Sequence, residues 1–271
     1  MGADADLAGY YGRGRERDRL ASPGHGRLEL LRTQDLLVRH LPPGGVVLDV
    51  GGGPGAYAAW LARRGYTVEL YDPVPLHVEQ ARAAAMRPGA AFSAAVADGR
   101  RLPCPDDRAD AVVMLGPLYR LPEREERRRC LAEARRVLKA GGVVVAAAIS
   151  RFASLMDGVA RDFLADPVFA RVVEEDLARG THRNPERREG YFTTAYFHRP
   201  EELAAELADA GFSGVRLSAV EGLATMVSNS DLSAWLADPA RAERLLSALR
   251  RVESEPSMLG ATAHLIAVAR A

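Results

Sequence analysis

Ten residues constrain this chain more than any others: Val46-Val47-Leu48-Asp49-Val50-Gly51-Gly52-Gly53-Pro54-Gly55. An apolar run carrying one carboxylate leads into four glycines within five positions, and Ala56-Tyr57-Ala58-Ala59-Trp60-Leu61-Ala62 follows with helical composition. A β-branched run of this length suits a parallel strand buried on both faces. The glycines remove Cβ atoms where backbone must turn sharply and approach a ligand closely. A second run, Thr67-Val68-Glu69-Leu70-Tyr71, ends at Asp72. A carboxylate at that strand end can accept both hydroxyl protons of a ribose. Together these features predict a site for an adenosine-containing cofactor.

Glycine spacing alone does not choose the cofactor. Gly51, Gly53 and Ala56 fit the dinucleotide pattern G-x-G-x-x-A. Three features favour S-adenosylmethionine over a nicotinamide. Asp49 stands two residues before the first glycine, suited to an ammonium group and ill placed beside a pyrophosphate. Pro54 removes an N–H that a pyrophosphate would want as a donor. The third is the downstream pair of segments Ala97-Asp98-Gly99 and Asp110-Ala111-Val112-Val113-Met114-Leu115-Gly116-Pro117-Leu118-Tyr119.

With V-L-D-V-G-G-G-P-G at residues 47–55, the chain resembles the class I S-adenosylmethionine-dependent methyltransferases, in particular a group of small bacterial enzymes. The resemblance is firm over about residues 28–150 and looser beyond. It implies an α/β fold: a seven-stranded Rossmann-like sheet, last strand antiparallel, with helical lid insertions. It implies that Gly51, Gly53 and Gly55 line the methionine part of the cofactor and that Asp49 contacts its amino group. Asp72 would hold the ribose, with Pro73 beside the adenine. Asp98 would accept from the adenine amino group, with Gly99 supplying backbone. Leu115 and Gly116 would close the pocket at the end of the fourth strand. Relatives often carry His after the Leu-Tyr pair, where this chain has Arg120.

The length of 271 residues suits one large α/β domain or one with an inserted lid. Lys and Arg together number 36, as do Asp and Glu, so no charge bias favours nucleic acid or an anionic membrane. Lys139 is the single lysine, a skew that fits codon bias in a GC-rich genome. Cys104 and Cys130 suggest neither a metal site nor a disulfide framework. The polar start lacks a signal-peptide apolar core, and no run approaches a membrane span. The expectation is a cytoplasmic monomer or homodimer acting on a small molecule, with no nucleic-acid or membrane partner.

Periodicity divides the single domain into an N-terminal arm and helix (1–45), a cofactor-binding core (46–150), a lid insertion (151–197), and a C-terminal half (198–271) with a second insertion at 221–258. A helix is expected over about 27–40, βα units at 46–65, 67–87 and 91–98, and a fourth strand at 110–115. A helix at 122–138 and a strand at 143–149 follow, then a helix at 200–210, a strand at 212–220 and a terminal strand at 264–269. Ligands of open α/β sheets lie beyond the strand carboxyl ends. Residues 1–26 and 151–197 are therefore expected to roof the pocket.

Candidates for the remaining roles follow from that placement. Tyr11, with Tyr10 and His25, would belong to a cover over the cofactor, and Arg32 would hold its carboxylate. Tyr119, Tyr191 and Tyr196 would meet a flat or apolar acceptor. His198 precedes a helix whose cap position is Arg199 rather than Ser, Thr, Asp or Asn, a sacrifice of about 1 kcal/mol. That sacrifice suggests a general base. The Glu123–Arg136 charge run reads as a solvated helix face. The expected activity is methyl transfer to a small acceptor at oxygen or nitrogen, in natural-product metabolism. Its rivals are a cofactor-binding module without turnover and a nicotinamide-dependent oxidoreductase.

Overall fold

A computed structural model describes residues 18–271 apart from 185, 187 and 189. The glycine-bearing run forms β1 (Val46–Val50), turns, and enters α2 (Ala56–Arg63), after the preceding helix α1 (His25–His40). Then come β2 (Thr67–Asp72), α3 (Pro75–Ala85), β3 (Ser93–Val96), β4 (Ala109–Met114), the single turn α4 (Pro117–Arg120), α5 (Arg124–Val137) and β5 (Leu138–Ser150). The rhythm resumes after an insertion with α8 (Pro200–Asp209) and β8 (Ser213–Ala219), and closes on β9 (His264–Arg270). Residues 97–108, between β3 and β4, hold only a bridge between Asp98 and Arg101 rather than a helix.

The strands lie in the order β3-β2-β1-β4-β5, continued by β9 and β8. β1 pairs in parallel with both β2 and β4, so Asp49 stands between Leu70 and Val113. β9 runs antiparallel against Val143–Ile149 of β5 and carries β8 on its other edge. Seven strands thus take the expected arrangement, last strand antiparallel.

Alternation along β1 splits its side chains between two apolar layers. Val47 packs with Leu36, Leu37, Tyr57 and Leu61 under α1 and α2. Leu48 and Val50 pack with Val112, Met114, Leu131 and Leu203 under α5 and α8. Each fully buried leucine contributes about 1.5–3 kcal/mol, enough in sum to hold the β1 loop rigidly at the edge of both layers.

The 151–197 insertion contains α6 (Ala153–Ala160), α7 (Pro167–Arg179), β6 (Thr181–His182) and β7 (Ala195–His198). β7 pairs with Ile149 and Ser150 of β5, past the end of β4, and β6 pairs with β7. The sheet therefore carries two short strands beyond the expected seven. The second insertion forms α9 (Asn229–Ala237) and α10 (Pro239–Val252), whose Leu232 and Leu249 bury Leu28 of α1. Among the described residues no helix is long and apolar enough to cross a membrane.

Candidate active site

A cavity of about 600 Å³ opens at the carboxyl ends of β1, β2 and β4. Its walls bring together Asp49, Gly51, Gly53, Asp72, Pro73, Asp98, Gly99, Leu115, Gly116 and Tyr119, the first nine expected from the sequence to meet the cofactor and Tyr119 the acceptor. Gly55 is not on that wall. It takes the left-handed conformation before α2 (φ 84°), with Phe92 and Ala81 where a Cβ would go.

Local geometry explains the glycines. Gly51 has φ 70°, and a Cβ there would lie 2.8 Å from the Pro117 ring. A Cβ on Gly52 would fall 2.6 Å from the Asp49 carboxylate. Bare backbone is thus what lets the loop pass between β1 and α4 and leave Asp49 facing the cavity wall.

Asp49 is the strained member of the site. It is 1% exposed, and neither carboxylate oxygen has a hydrogen-bond partner. Burial, then the charge of Asp72, pushes its pKa up to about 7, with the Ala58 N–H in α2, near the carboxylate but short of hydrogen-bond geometry, pulling the other way. Leaving a buried carboxylate unsatisfied is costly unless a partner arrives.

Asp72 is differently placed. It accepts from Gly53 N at 2.9 Å and from Val74 N at 2.9 Å, and meets His77 Nδ1 at 3.1 Å. The same carboxylate that ends β2 therefore also pins the glycine loop. Asp98 is gripped by Arg100, whose Nε lies 2.9 and 3.0 Å from its two oxygens, and Arg100 also reaches Glu126. These bonds hold the Asp98 pKa below its ordinary value against burial, which raises it.

Several sequence candidates lie elsewhere. Arg32 is fully buried and donates to Val220 O, Asp35 and Glu253. It clasps α1 to the end of α10 instead of holding a cofactor carboxylate. Tyr191 donates to Asp166 at 2.6 Å and packs on Phe163 and Phe169. Tyr196 lies over Arg127 at 3.7 Å, away from the cavity wall. Tyr10 and Tyr11 lie outside the described residues. His25 bonds Val227 O at 3.0 Å, joining α1 to the second insertion.

His198 is corrected from base to structural residue. It is fully buried and absent from the cavity wall, with Nε2 3.3 Å from Glu206. Burial lowers its pKa even against that carboxylate, so a neutral ring donates to Glu206. Arg127 binds the same carboxylate at 2.7 Å and caps Leu121 and Pro122 carbonyls. The charge run on α5 is consequently not wholly solvated: Arg127 is 1% exposed. The missing cap at Arg199 is made good from within the helix, where Glu202 accepts from the Arg199 N–H at 2.9 Å. We expect His198→Ala to lower stability by about 1–3 kcal/mol through a lost bond and a small cavity. Turnover per folded molecule should stay within about twofold. A hundredfold loss of turnover at unchanged stability would restore the base.

No described residue of 151–197 lines the cavity. The insertion reaches it at second hand: Phe192 packs with Phe197 and Tyr119 and lies against Arg120, which does line it. From the N-terminal side only Arg19 and Leu20, among the described residues, touch the wall, and Arg19 is held by Glu29. His77, Arg100 and Arg120 are wall residues that sequence reasoning did not assign. His77 had a faint signal, lying on the first turn after Asp72.

The comparisons with known proteins fit this geometry. Residues 47–142 match the model of a methyltransferase domain, spanning the glycine loop, Asp72, Asp98 and β4. Over residues 47–142 the chain carries a methyltransferase domain. It is 34% identical over 148 residues to methyltransferase GfsG of Streptomyces halstedii, covering 54% of this chain. It spans 49%, about half, of the length of that curated relative. The fold is shared with a Thermotoga maritima methyltransferase described as a possible histamine N-methyltransferase, at TM-score 0.59 and 18% identity over 96% of both chains. It is also shared with the [4+2]-cyclase SpnF, at TM-score 0.55 and 22% identity over 89% of this chain and 80% of that one. Among proteins that share this fold, the fold alone does not dictate the reaction.

Proposed function

We propose that this methyltransferase binds S-adenosylmethionine in the β1–β2–β4 cavity and transfers its methyl group to a small acceptor. The observation that carries the reading is Asp49: a buried carboxylate with both oxygens unsatisfied, on the cavity wall beside bare glycine backbone. An ammonium group is the partner such a carboxylate lacks, and a pyrophosphate is the partner it would repel.

Asp49 and the Gly51–Gly53 backbone would hold the amino-acid end. Asp72 would hold the ribose, and Asp98 with Gly99 the adenine. When bound, the cofactor supplies an electrophilic methyl group on a sulfonium centre. The protein's work is to align the acceptor and exclude water, and no described cavity residue needs to act as a base for an acceptor that arrives nucleophilic. We place the acceptor among natural-product intermediates, with methylation at oxygen or nitrogen. Support for a small acceptor comes from the volume, which suits a cofactor with a modest acceptor, and the likeness to methyltransferase GfsG supports methyl transfer itself.

Methyl transfer is tested by following release of S-adenosylhomocysteine with a panel of phenols, acids and amines. Cofactor binding without transfer to any of them would favour the non-catalytic module. Titration calorimetry tests the cofactor roles. Asp72→Ala should weaken S-adenosylmethionine binding by about 1.5–3 kcal/mol, the worth of bonds to a charged group. Unchanged affinity would show that the ribose is held elsewhere.

A further inference from the structure

We infer that His77 is a positioning residue for the cofactor ribose: it holds the Asp72 carboxylate in the plane that the ribose hydroxyls must meet. This rests on the cofactor reading and goes beyond it by giving the ribose a second residue, one that acts through Asp72.

Local structure brings the two side chains together. β2 ends at Asp72, Pro73 and Val74 turn the chain, and Pro75 opens α3 at its first position. The Cα–Cβ bonds of a helix tilt toward its N-terminus, so a side chain on the first turn leans back over the strand end. His77 does so. Its Nδ1 lies 3.1 Å from Asp72 Oδ1, and both residues are 4% exposed and part of the cavity wall. The same carboxylate accepts two backbone N–H groups, from Gly53 on Oδ2 and from Val74 on Oδ1. The ring nitrogen facing it therefore carries the hydrogen and donates.

Three donors settle a torsion that an aspartate by itself leaves loose. The last torsion of that side chain is broad, and the Asp72 carboxylate has a force acting to turn it. It shares the wall with Asp49, and its charge helps to push the Asp49 pKa up to about 7, so the two groups repel. Two of the restraining donors belong to the β1 loop and the β2–α3 turn. His77 supplies the third from a helix packed on β2 and β3. Vicinal hydroxyls leave a ribose at a fixed angle and need an acceptor held in one orientation. An acceptor ordered before the ligand arrives spares the cost of ordering it on binding. In a wall this dry, each bond that holds it counts for more than at the surface.

The test pairs a change of ligand with a change of side chain. S-adenosylhomocysteine and its 2′,3′-dideoxy analogue are titrated by calorimetry into the full-length parent and into His77→Leu, His77→Phe and His77→Asn. Leucine and phenylalanine both remove the donor, so a packing failure in one leaves the other to read. Asparagine sets its amide nitrogen where Nδ1 stands. The parent should bind S-adenosylhomocysteine about tenfold or more tighter than the analogue, the scale of bonds to a charged group. His77→Leu and His77→Phe should lose about three- to tenfold in affinity for S-adenosylhomocysteine, the scale of one net hydrogen bond. They should lose nothing for the analogue, which has no hydroxyls for Asp72 to meet. His77→Asn should recover most of the loss. Equal losses for the two ligands would make His77 a packing residue and overturn the inference. Unchanged affinity in the apolar variants, or His77→Asn as weak as His77→Leu, would overturn it too. A parent that binds both ligands alike would show that the ribose is not held at Asp72, and the role of His77 would fall with it. A parent that binds neither would instead remove the cofactor reading beneath the inference.

Discussion

Asp49→Asn is expected to weaken S-adenosylmethionine binding by about 2–5 kcal/mol, the usual cost of truncating one partner of a buried charge pair. The same substitution should make the cofactor-free protein more stable. The folded-state pKa of about 7 lies above the unfolded value of about 3.9. Between those values the native protein keeps a proton that the unfolded chain has released. Stability without cofactor therefore falls as pH rises from about 4 to 7, by up to about 4 kcal/mol at 1.36 kcal/mol per unit. Asparagine should flatten that slope. Affinity for the cofactor should rise with pH over the upper part of the window, as Asp49 ionises to meet the ammonium. Thermal melts across this range, with calorimetry on both proteins, read all of these effects. A flat stability profile in the parent, or unchanged affinity in the variant, would show that Asp49 is satisfied by something other than the ligand.

Glu206→Gln should cost about 3–5 kcal/mol of stability, because it leaves Arg127 charged in the interior with no carboxylate. Arg127, Glu206 and His198 join α5, α8 and β7 in one buried cluster. Burial raises the pKa of Glu206, but bonds from His198 and Arg127 win and hold it down to about 2. Its contribution is thus present above the unfolded carboxylate range and lost as pH falls toward 2. Denaturant melts check the loss, and a double variant, Arg127→Met with Glu206→Leu, should recover most of it by removing the stranded charge. A Glu206→Gln protein as stable as the parent would mean that the cluster is hydrated. Cofactor affinity should not change, since none of the three lines the cavity.

The residues readable from sequence share a property: their meaning is local. Val46–Gly55 announces strand, turn and ligand approach within ten residues, because positive φ and close contact both demand glycine. Asp72 and Asp98 follow strands whose ends the pattern locates. Helix and strand limits such as 200–209 and 264–270 follow from apolar periodicity in the same way.

The misread residues depend on partners far along the chain. Arg32 meets Val220 and Glu253, and nothing near position 32 reports them. His198 and Arg127 meet at Glu206, on a third element, so a buried cluster looked like a catalytic base and a wet helix face. The apparent cap defect at Arg199 misled because Glu202, three residues on, supplies the missing acceptor. Of the roof expected of 151–197, no described residue lines the cavity: β7 attaches beyond the end of β4, and Phe192 of the insertion lies against Arg120.

The most direct measurement is a crystal structure of the protein with S-adenosylhomocysteine. The cofactor-site account predicts its amino group within hydrogen-bond distance of Asp49, its ribose hydroxyls at Asp72, and its adenine beside Pro73 and Asp98. Electron density outside the β1–β2–β4 cavity, or an amino group turned away from an Asp49 that remains unpaired, would contradict it.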